Sequence, residues 1–373
     1  MSKTWCSNIC RRTQPDADAA DVTAIEVTGV ALRQSWTDHT APPVERVQPG
    51  LWSIPVPIPR NPLRYVIVYA LELPDGVAVI DTGWSTEDAW TALSEGLGVA
   101  GYTVADVRIA LITHIHPDHY GLAGRVRAES GARVALHPAD ASLLPARYGM
   151  DIEGLLRNMR SLLRECGVPD EVLEELTGAS MGIREFVALA EPDVLLEDRA
   201  RLDLPGWNLT TVHTPGHSPG HVCFYEADRR LLISGDHVLP RISPNITVHA
   251  QQTGNPLADF LDALMRVRSL DVDEVLPAHE WRFRGLEARI DALLEHHRAR
   301  EAECEAIVRS SPGITCWNAT RRMTWSREWS EVTGFMRRAA VGETLAHLVL
   351  LESEGRVRQQ GHHPALWYPA TER

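Results

Sequence analysis

Thr113-His114-Ile115-His116-Pro117-Asp118-His119-Tyr120-Gly121 packs three imidazoles and one carboxylate into six positions, directly after the apolar run Ile109-Ala110-Leu111-Ile112. The apolar run reads as a buried strand and the polar residues as the loop at its end. Imidazole and carboxylate together suit zinc and its borderline neighbours. A strand that breaks into a tight loop turns alternate side chains toward one point while the next two reach a second, so the stretch has room for two metal ions. The plain alternative is a polar surface loop rich in histidine, but chance produces this pattern on the order of once in 600 chains of such length.

Other strand ends carry matching chemistry. The stretches 64–73 and 77–81 are β-branched and apolar, and Pro74-Asp75-Gly76 joins them as a hairpin turn. The second ends in Ile80-Asp81-Thr82-Gly83, whose acid is suited to accept a hydrogen bond from a ligating imidazole. Thr214-Pro215-Gly216-His217-Ser218-Pro219-Gly220-His221 follows a strand at 209–213 and holds His217 in a turn stiffened by glycine and proline. Ser234-Gly235-Asp236-His237 ends a further strand with a carboxylate able to bridge two cations, and Leu276-Pro277-Ala278-His279 ends another with an imidazole.

Helical segments alternate with these strands. Ser85 and Asp88 form the capping signature of a helix that Gly98 closes, residues 121–130 read as a helix stopped by Gly131, and Asn255-Pro256 opens a third. Strand-helix alternation implies an α/β fold. Residues 139–195 break the rhythm, with Ile152, Leu155, Leu156, Met159, Leu162, Leu163 and Cys166 at helical spacing. This helical insertion reads either as a packing element over the core or as a lid over the metals. Residues 1–45 lack sustained periodicity and read as a loose N-terminal segment. Beyond about residue 286 the pattern is a long helix, then helices at 328–338 and 343–354, a short strand at 356–359, and Leu366-Trp367-Tyr368 after the turn Gly361-His362-His363-Pro364.

Taken in order, the motifs resemble the metallo-β-lactamase fold hydrolases over about residues 48–285. The resemblance implies a four-layer αβ/βα sandwich spanning residues 46–285, with the insertion inside it. It also implies that His114, His116 and His217 hold one metal, that Asp118, His119 and His279 hold a second, and that Asp236 bridges them. Asp81 then supports a ligand, and His221, His213 and His237 serve hydrogen bonding and turn stability. Two divalent ions, zinc first with iron or manganese as alternatives, turn a shared water into hydroxide near neutral pH and polarise a carbonyl. Asp118 and Asp236 orient that hydroxide, and Asp118 passes a proton to the leaving group. The intact H-x-H-x-D-H motif and the lack of an export signal argue against antibiotic hydrolysis. Thioesters or esters of the acyl-CoA or glutathione type are the expected substrates; lactones come next, then phosphodiesters, then oxidation at a single iron as in persulfide dioxygenases, or a non-catalytic metal-binding role. Residues 286–373, through Gly342-Glu343-Thr344-Leu345-Ala346-His347-Leu348 and Glu354-Gly355-Arg356-Val357, resemble the winged-helix appendage of glyoxalase II-like and lactamase-beta-like hydrolases.

Composition narrows the partners. The net charge of −13 falls entirely within residues 1–284, because residues 285–373 hold 12 arginines against 12 acids. No basic stripe is available to displace counterions from nucleic acid, so the appendage is expected to be structural or substrate-shaping and the partner a small molecule. No run approaches a membrane span, and the first residues lack the apolar core of a secretory signal, so a cytoplasmic enzyme is expected; a homodimer stays open. Cys6 and Cys10 read as tail cysteines. Arg60 and Arg64 are candidates for a substrate anion, Tyr120 for the pocket lining, and Met150, Leu156 and Met159 for an apolar wall.

Overall fold

A computed structural model describes residues 25–370 apart from 60, 150, 252 and 253. Cys6, Cys10, Arg60 and Met150 lie outside the described residues. The chain runs from β1 (Glu26–Val27) and α1 (Val30–Asp38) into an antiparallel meander of β2 (Glu45–Gln48), β3 (Leu51–Pro57), β4 (Tyr65–Leu73) and β5 (Gly76–Ile80). Three parallel strands extend the sheet: β6 (Val107–Leu111) after α2 (Glu87–Val99), β7 (Arg133–Leu136) after α3 (Pro117–Tyr120) and α4 (Ala123–Ser130), and β8 (Val194–Leu195) after the insertion. The insertion holds α5 (Pro138–Ala141), α6 (Leu144–Tyr148), α7 (Ile152–Glu165) and α8 (Asp170–Gly178). A second sheet follows from β9 (Leu209–His213), β10 (Val222–Glu226), β11 (Leu231–Gly235), β12 (Glu274–Pro277) and β13 (Phe283–Arg284), in the order β1-β13-β12-β11-β10-β9. Helices α9 (Pro256–Arg268), α10 (Leu286–Ser310), α11 (Cys316–Thr320) and α12 (Gly334–Ser353) and the hairpin β14 (Val357–Gln360) with β15 (Leu366–Pro369) complete the chain.

The sequence of β4 explains the layering. Its residues alternate faces: Tyr65, Ile67, Tyr69 and Leu71 enter the core between the two sheets, while Val66, Val68 and Ala70 enter the core under α2. Both faces are covered, so the strand reads as an apolar run. The inter-sheet core pairs those residues with Leu209, Phe224, Ile233 and Leu276. Outside the second sheet, Cys223, Leu232 and Val275 meet Phe260 and Leu264 of α9 and Ile290 and Leu293 of α10. The result is helix, sheet, sheet, helix, the sandwich expected.

Several boundaries differ from the sequence reading. Half of the supposedly loose N-terminal segment is built in: β1 pairs with β13, Leu32 is fully buried, and the Trp36 ring packs edge-on against Tyr65 and Trp281. The α2 cap is Thr86, whose side chain accepts from the Ala89 N–H, one residue later than the Ser85 signature. Helix α12 passes unbroken through Gly342, because that glycine serves packing: a Cβ there would lie 2.9 Å from the Thr247 Cβ. Helix α10 serves two cores, its first half in the sandwich and its second half, through Cys304 and Val308, in a separate cluster. That cluster joins Leu163 of α7 and Leu173 and Leu176 of α8 to Cys316, Leu348, Leu351 and Trp367. The insertion and the C-terminal region thus form one core, which favours the packing role of α7 and α8. Among the described residues no helix is long and apolar enough to cross a membrane.

A shared core predicts shared stability. Leu176→Ala is expected to cost about 2–5 kcal/mol and to accelerate amide hydrogen exchange in α12 together with α8; exchange that rises in α8 alone would show that the insertion folds independently.

Candidate metal centre

Every functional side chain hangs from a strand end or the turn beyond it, and the turns are held by buried polar bonds. Asp81, at the end of β5, adopts the left-handed region with φ 64°, a conformation unusual outside glycine and typical of sites under constraint. Its Oδ1 accepts from the Thr113 N–H at 2.8 Å, tying β5 to the end of β6, and its Oδ2 accepts from His119 Nδ1 at 2.8 Å. Thr82 donates its N–H and its hydroxyl to the His119 carbonyl. His119 is therefore gripped at both backbone and ring. The short helix α3 that presents it starts with Pro117, whose fixed φ suits a first helical position.

The remaining imidazoles are oriented in the same way. His279 Nδ1 donates to the Tyr65 carbonyl at 3.0 Å, and His217 Nδ1 donates to the Asn245 carbonyl at 2.9 Å. These partners put Nε2 of each ring toward the centre. Gly216 is required before His217 because its φ is 134° and a Cβ there would sit 2.4 Å from the Phe260 Cβ. His221, fully buried, accepts from the Asp236 N–H at 3.1 Å through Nε2 and bonds Thr214 Oγ1 at 2.7 Å through Nδ1, so it positions the Asp236 backbone. His213 instead bonds the Pro219 carbonyl and stacks on His137, away from the cluster.

Three sets of donor atoms converge: His114, His116 and His217; His114, His119 and Asp236; Asp118, His119 and His279, with the atoms of each set within 4.8 Å of one another. His119 Nε2, His217 Nε2, His279 Nε2 and Asp236 Oδ1 are all buried and make no hydrogen bond. The three imidazole nitrogens approach the carboxylate oxygens of Asp118 and Asp236, Asp236 Oδ1 among them, at 3.2–3.5 Å without hydrogen-bond geometry. Buried polar atoms are almost always satisfied, so four orphans aimed at one space fit a bound cation. Nitrogen and oxygen donors without thiolate match zinc and its borderline neighbours.

The electrostatics divide the cluster in two. Burial, reinforced by the neighbouring imidazoles, pushes His114 and His116 well below the usual histidine range, leaving them neutral and ready to ligate. Burial would lower His279 too, but Asp236 and Asp118 outweigh it and hold it up at about 10. His119 is raised likewise, by Asp118, Asp236 and Asp81 acting against burial. Positive charge is thus favoured where the carboxylates gather.

Asp140 escaped the sequence reading. It is fully buried, and its carboxylate accepts from the Ile115 N–H at 2.8 Å, the Ser218 hydroxyl at 2.7 Å and the Gly220 N–H at 2.7 Å. It therefore clamps the His114–His116 loop to the His217 turn. The only signal was its place just past a strand end, in His137-Pro138-Ala139-Asp140, among residues assigned to the insertion. Arg289 was missed as well: its guanidinium donates to the carbonyls of Leu239, Arg241 and Ile242, anchoring the loop that carries Asn245.

Two proposed substrate contacts are corrected. Tyr120 is fully buried, and its hydroxyl donates to the Ala190 carbonyl and accepts from the Ala190 N–H, so it fastens the end of the insertion and lines no accessible surface. Arg64 donates to the Trp36 carbonyl at 2.7 Å and lies 4.3 Å over the Trp36 ring, which commits its guanidinium to α1.

Asp140→Asn keeps the shape but sets an amide NH₂ against donors. The expected outcome is about 10–100-fold weaker metal binding in competition with a chromophoric chelator; unchanged affinity would show that the two loops hold their places without the clamp.

Residues 62–279 match the model of the metallo-beta-lactamase superfamily. The probable metallo-hydrolase YqjP of Bacillus subtilis (strain 168) is 25% identical over 295 residues, covering 78% of this chain and 88% of that protein. The human acyl-coenzyme A thioesterase MBLAC2 is 33% identical over 204 residues, 53% of this chain and 64% of that one. Among solved structures, a metallo-beta-lactamase family protein from Thermus thermophilus superposes with TM-score 0.74 at 32% identity, covering 87% of this chain and all (100%) of that one. A beta-lactamase domain protein from Burkholderia ambifaria gives TM-score 0.78 at 26% identity over 94% of this chain and 100% of that one. With the family match spanning more than half the sequence and the strand-end cluster within it, this chain belongs to the metallo-beta-lactamase superfamily of metallo-hydrolases.

Proposed function

We propose that the chain is a dinuclear metal-dependent hydrolase of small thioesters or esters, with zinc as the metal. The observation that carries the reading is the group of buried, unpartnered donor atoms on His119, His217, His279 and Asp236. His114, His116 and His217 would hold one ion, Asp118, His119 and His279 the other, and Asp236 both. When bound, the ions supply an activated water and a Lewis acid for the carbonyl.

The protein's own groups do the rest. Asp81, Tyr65 and Asn245 fix three imidazoles through their outer nitrogens. Asp118 is the most exposed member of the carboxylate set, its side chain 14% accessible against 9% for Asp236. That exposure lets its carboxylate take a proton from the reacting water and return it to the leaving group. Burial of the three imidazoles from water strengthens the bonds that fix them. The thioester preference is supported by the similarity to the acyl-coenzyme A thioesterase over about half the chain.

Turnover of an acyl-CoA and acyl-glutathione panel by zinc-loaded protein, followed by thiol release, tests the reading. Asp118→Ala is expected to lower the rate about 10²–10⁴-fold. Chelation is expected to abolish turnover and lower the melting temperature, since an ion that binds only the folded state stabilises it. A protein that retains its metal and fold yet turns over no thioester would sink the thioesterase reading and bring lactones and phosphodiesters forward. Metal loading also has a pH signature. His279, protonated below about 10 in the metal-free cluster, must lose its proton to ligate, so apparent affinity is expected to rise with pH from about 6 through 9. Buffer-dependent calorimetric heats at about pH 7 measure the proton released.

A further inference from the structure

A single segment touches both histidine sets of the metal centre. It begins at Asp236, just past β11, where the Ser234 hydroxyl donates to the Val238 carbonyl at 2.8 Å, and it runs to Asn245, whose carbonyl accepts from His217 Nδ1 at 2.9 Å. Between these ends, Arg241 reaches the turn that carries His279: its Nε lies 3.0 Å and its Nη2 2.7 Å from Glu280 Oε1. His279 and Glu280 are consecutive, so this ion pair acts on the ligand through one peptide bond. The buried Arg289 stiffens the segment, its guanidinium donating to the carbonyls of Leu239, Arg241 and Ile242 at 2.7, 2.9 and 3.0 Å.

Glu280 is a poor residue for stability at this position. Its side chain is 0% accessible, its second oxygen Oε2 is buried without a hydrogen-bond partner, and its backbone adopts φ 69°. A carboxylate removed from water with one oxygen bare weakens a fold, and the left-handed region disfavours any residue with a Cβ. Such features persist only where the surroundings impose them, and they cluster at functional sites. Here the surroundings do impose them: the Tyr65 hydroxyl donates to the Glu280 carbonyl at 3.3 Å, while the Tyr65 carbonyl accepts from His279 Nδ1 at 3.0 Å. Arg241 in turn lies 5.8 Å over the Trp36 ring, which holds its guanidinium against α1 as well as Glu280.

We propose that the Arg241–Glu280 pair is a strut that sets the spacing between the two halves of the metal centre, with Arg241 and Glu280 as positioning residues for the hydrolase. Glu280 holds the His279 turn, Arg241 carries that hold into the segment, and the Asn245 carbonyl passes it to His217. These two histidines belong to different donor sets, and Asp236, at the start of the segment, is the carboxylate proposed to serve both. A water shared by two ions is activated only while the ions stay close together, so a strut between the sets serves the reaction without touching substrate. The inference rests on the dinuclear reading for its catalytic purpose, whereas the mechanical link stands on the hydrogen bonds alone.

The test is Co²⁺ titration of the full-length, metal-free protein, followed by absorption and by competition with a chelator. Wild type is expected to take two ions. Glu280→Gln is nearly isosteric and leaves Arg241 able to face water; it is expected to weaken both ions by about tenfold, although Glu280 adjoins a ligand of only one. Arg241→Met is expected to do the same, and the two changes together to weaken them no further, because each breaks the same link. Arg241→Lys, which keeps the charge, is expected to recover most of the affinity. Weakening of one ion alone, or a lowered melting temperature with both affinities intact, would overturn the strut. Amide hydrogen exchange in metal-free protein gives a readout independent of any ion. Glu280→Gln is expected to raise it in residues 241–245 and in the His217 turn, and exchange unchanged there would overturn the strut as well. A wild type that takes a single ion, with exchange still raised by Glu280→Gln, would instead sink the dinuclear reading and leave the strut standing.

Discussion

The carboxylate of Asp81 is the interaction on which the rest of the centre depends. One oxygen holds the backbone of Thr113, just beyond β6, and the other holds the ring of His119, so a single side chain aligns two parallel strand ends and one imidazole. A carboxylate with 1% exposure is costly unless its lone pairs are filled. Filling them from Thr113 and His119 forces the sharp left-handed turn at Asp81 itself. The strain and the site have the same origin.

The same economy governs the opposite sheet. Asp236 follows Gly235, whose φ of 51° turns the chain beneath His221; a Cβ there would lie 2.7 Å from the His221 Nε2. His279 follows β12 and is tethered to the Tyr65 carbonyl of β4, across the gap between the sheets. Since β4 is buried on both faces, this tether can move only if the inter-sheet core moves. The placement of the His279 ring is in this way referred to a strand buried on both faces, as a site needing sub-ångström placement requires.

What was legible in the sequence was what is local. H-x-H-x-D-H, the Gly/Pro turn around His217 and the strand-end Asp236 and His279 each announce themselves within a few residues, because a strand and its following turn are contiguous in the chain. The apolar run of β4 and its hairpin partner were readable for the same reason. Asp140 was hidden because its partners Ser218 and Gly220 lie about 80 residues away, and nothing in a four-residue window marks a carboxylate that bonds backbone. The split between 328–338 and 343–354 failed in the opposite direction: one helix runs unbroken through Gly342, whose close approach to Thr247 is a tertiary fact. Tyr120 was placed by its nearness to His119 in sequence, yet successive residues on a helix point about 100° apart, and its hydroxyl ended at Ala190 instead.

The most consequential long-range feature is that the two appendages share a core. Had the insertion packed alone on the sandwich, its inner face would answer only to the metal centre. Leu163 and Leu176 instead pack with Cys316, Leu348 and Trp367, so α7 and α12 form two walls of one cleft while neither contributes a donor atom to the metal cluster. Substitutions in that wall leave Asp81, Asp140 and the imidazoles untouched. The two cores meet at Asn245, whose carbonyl accepts from His217 and which also lines the cleft. A superfold that hosts many reactions can vary such a helical unit while the sandwich keeps its charged groups in place.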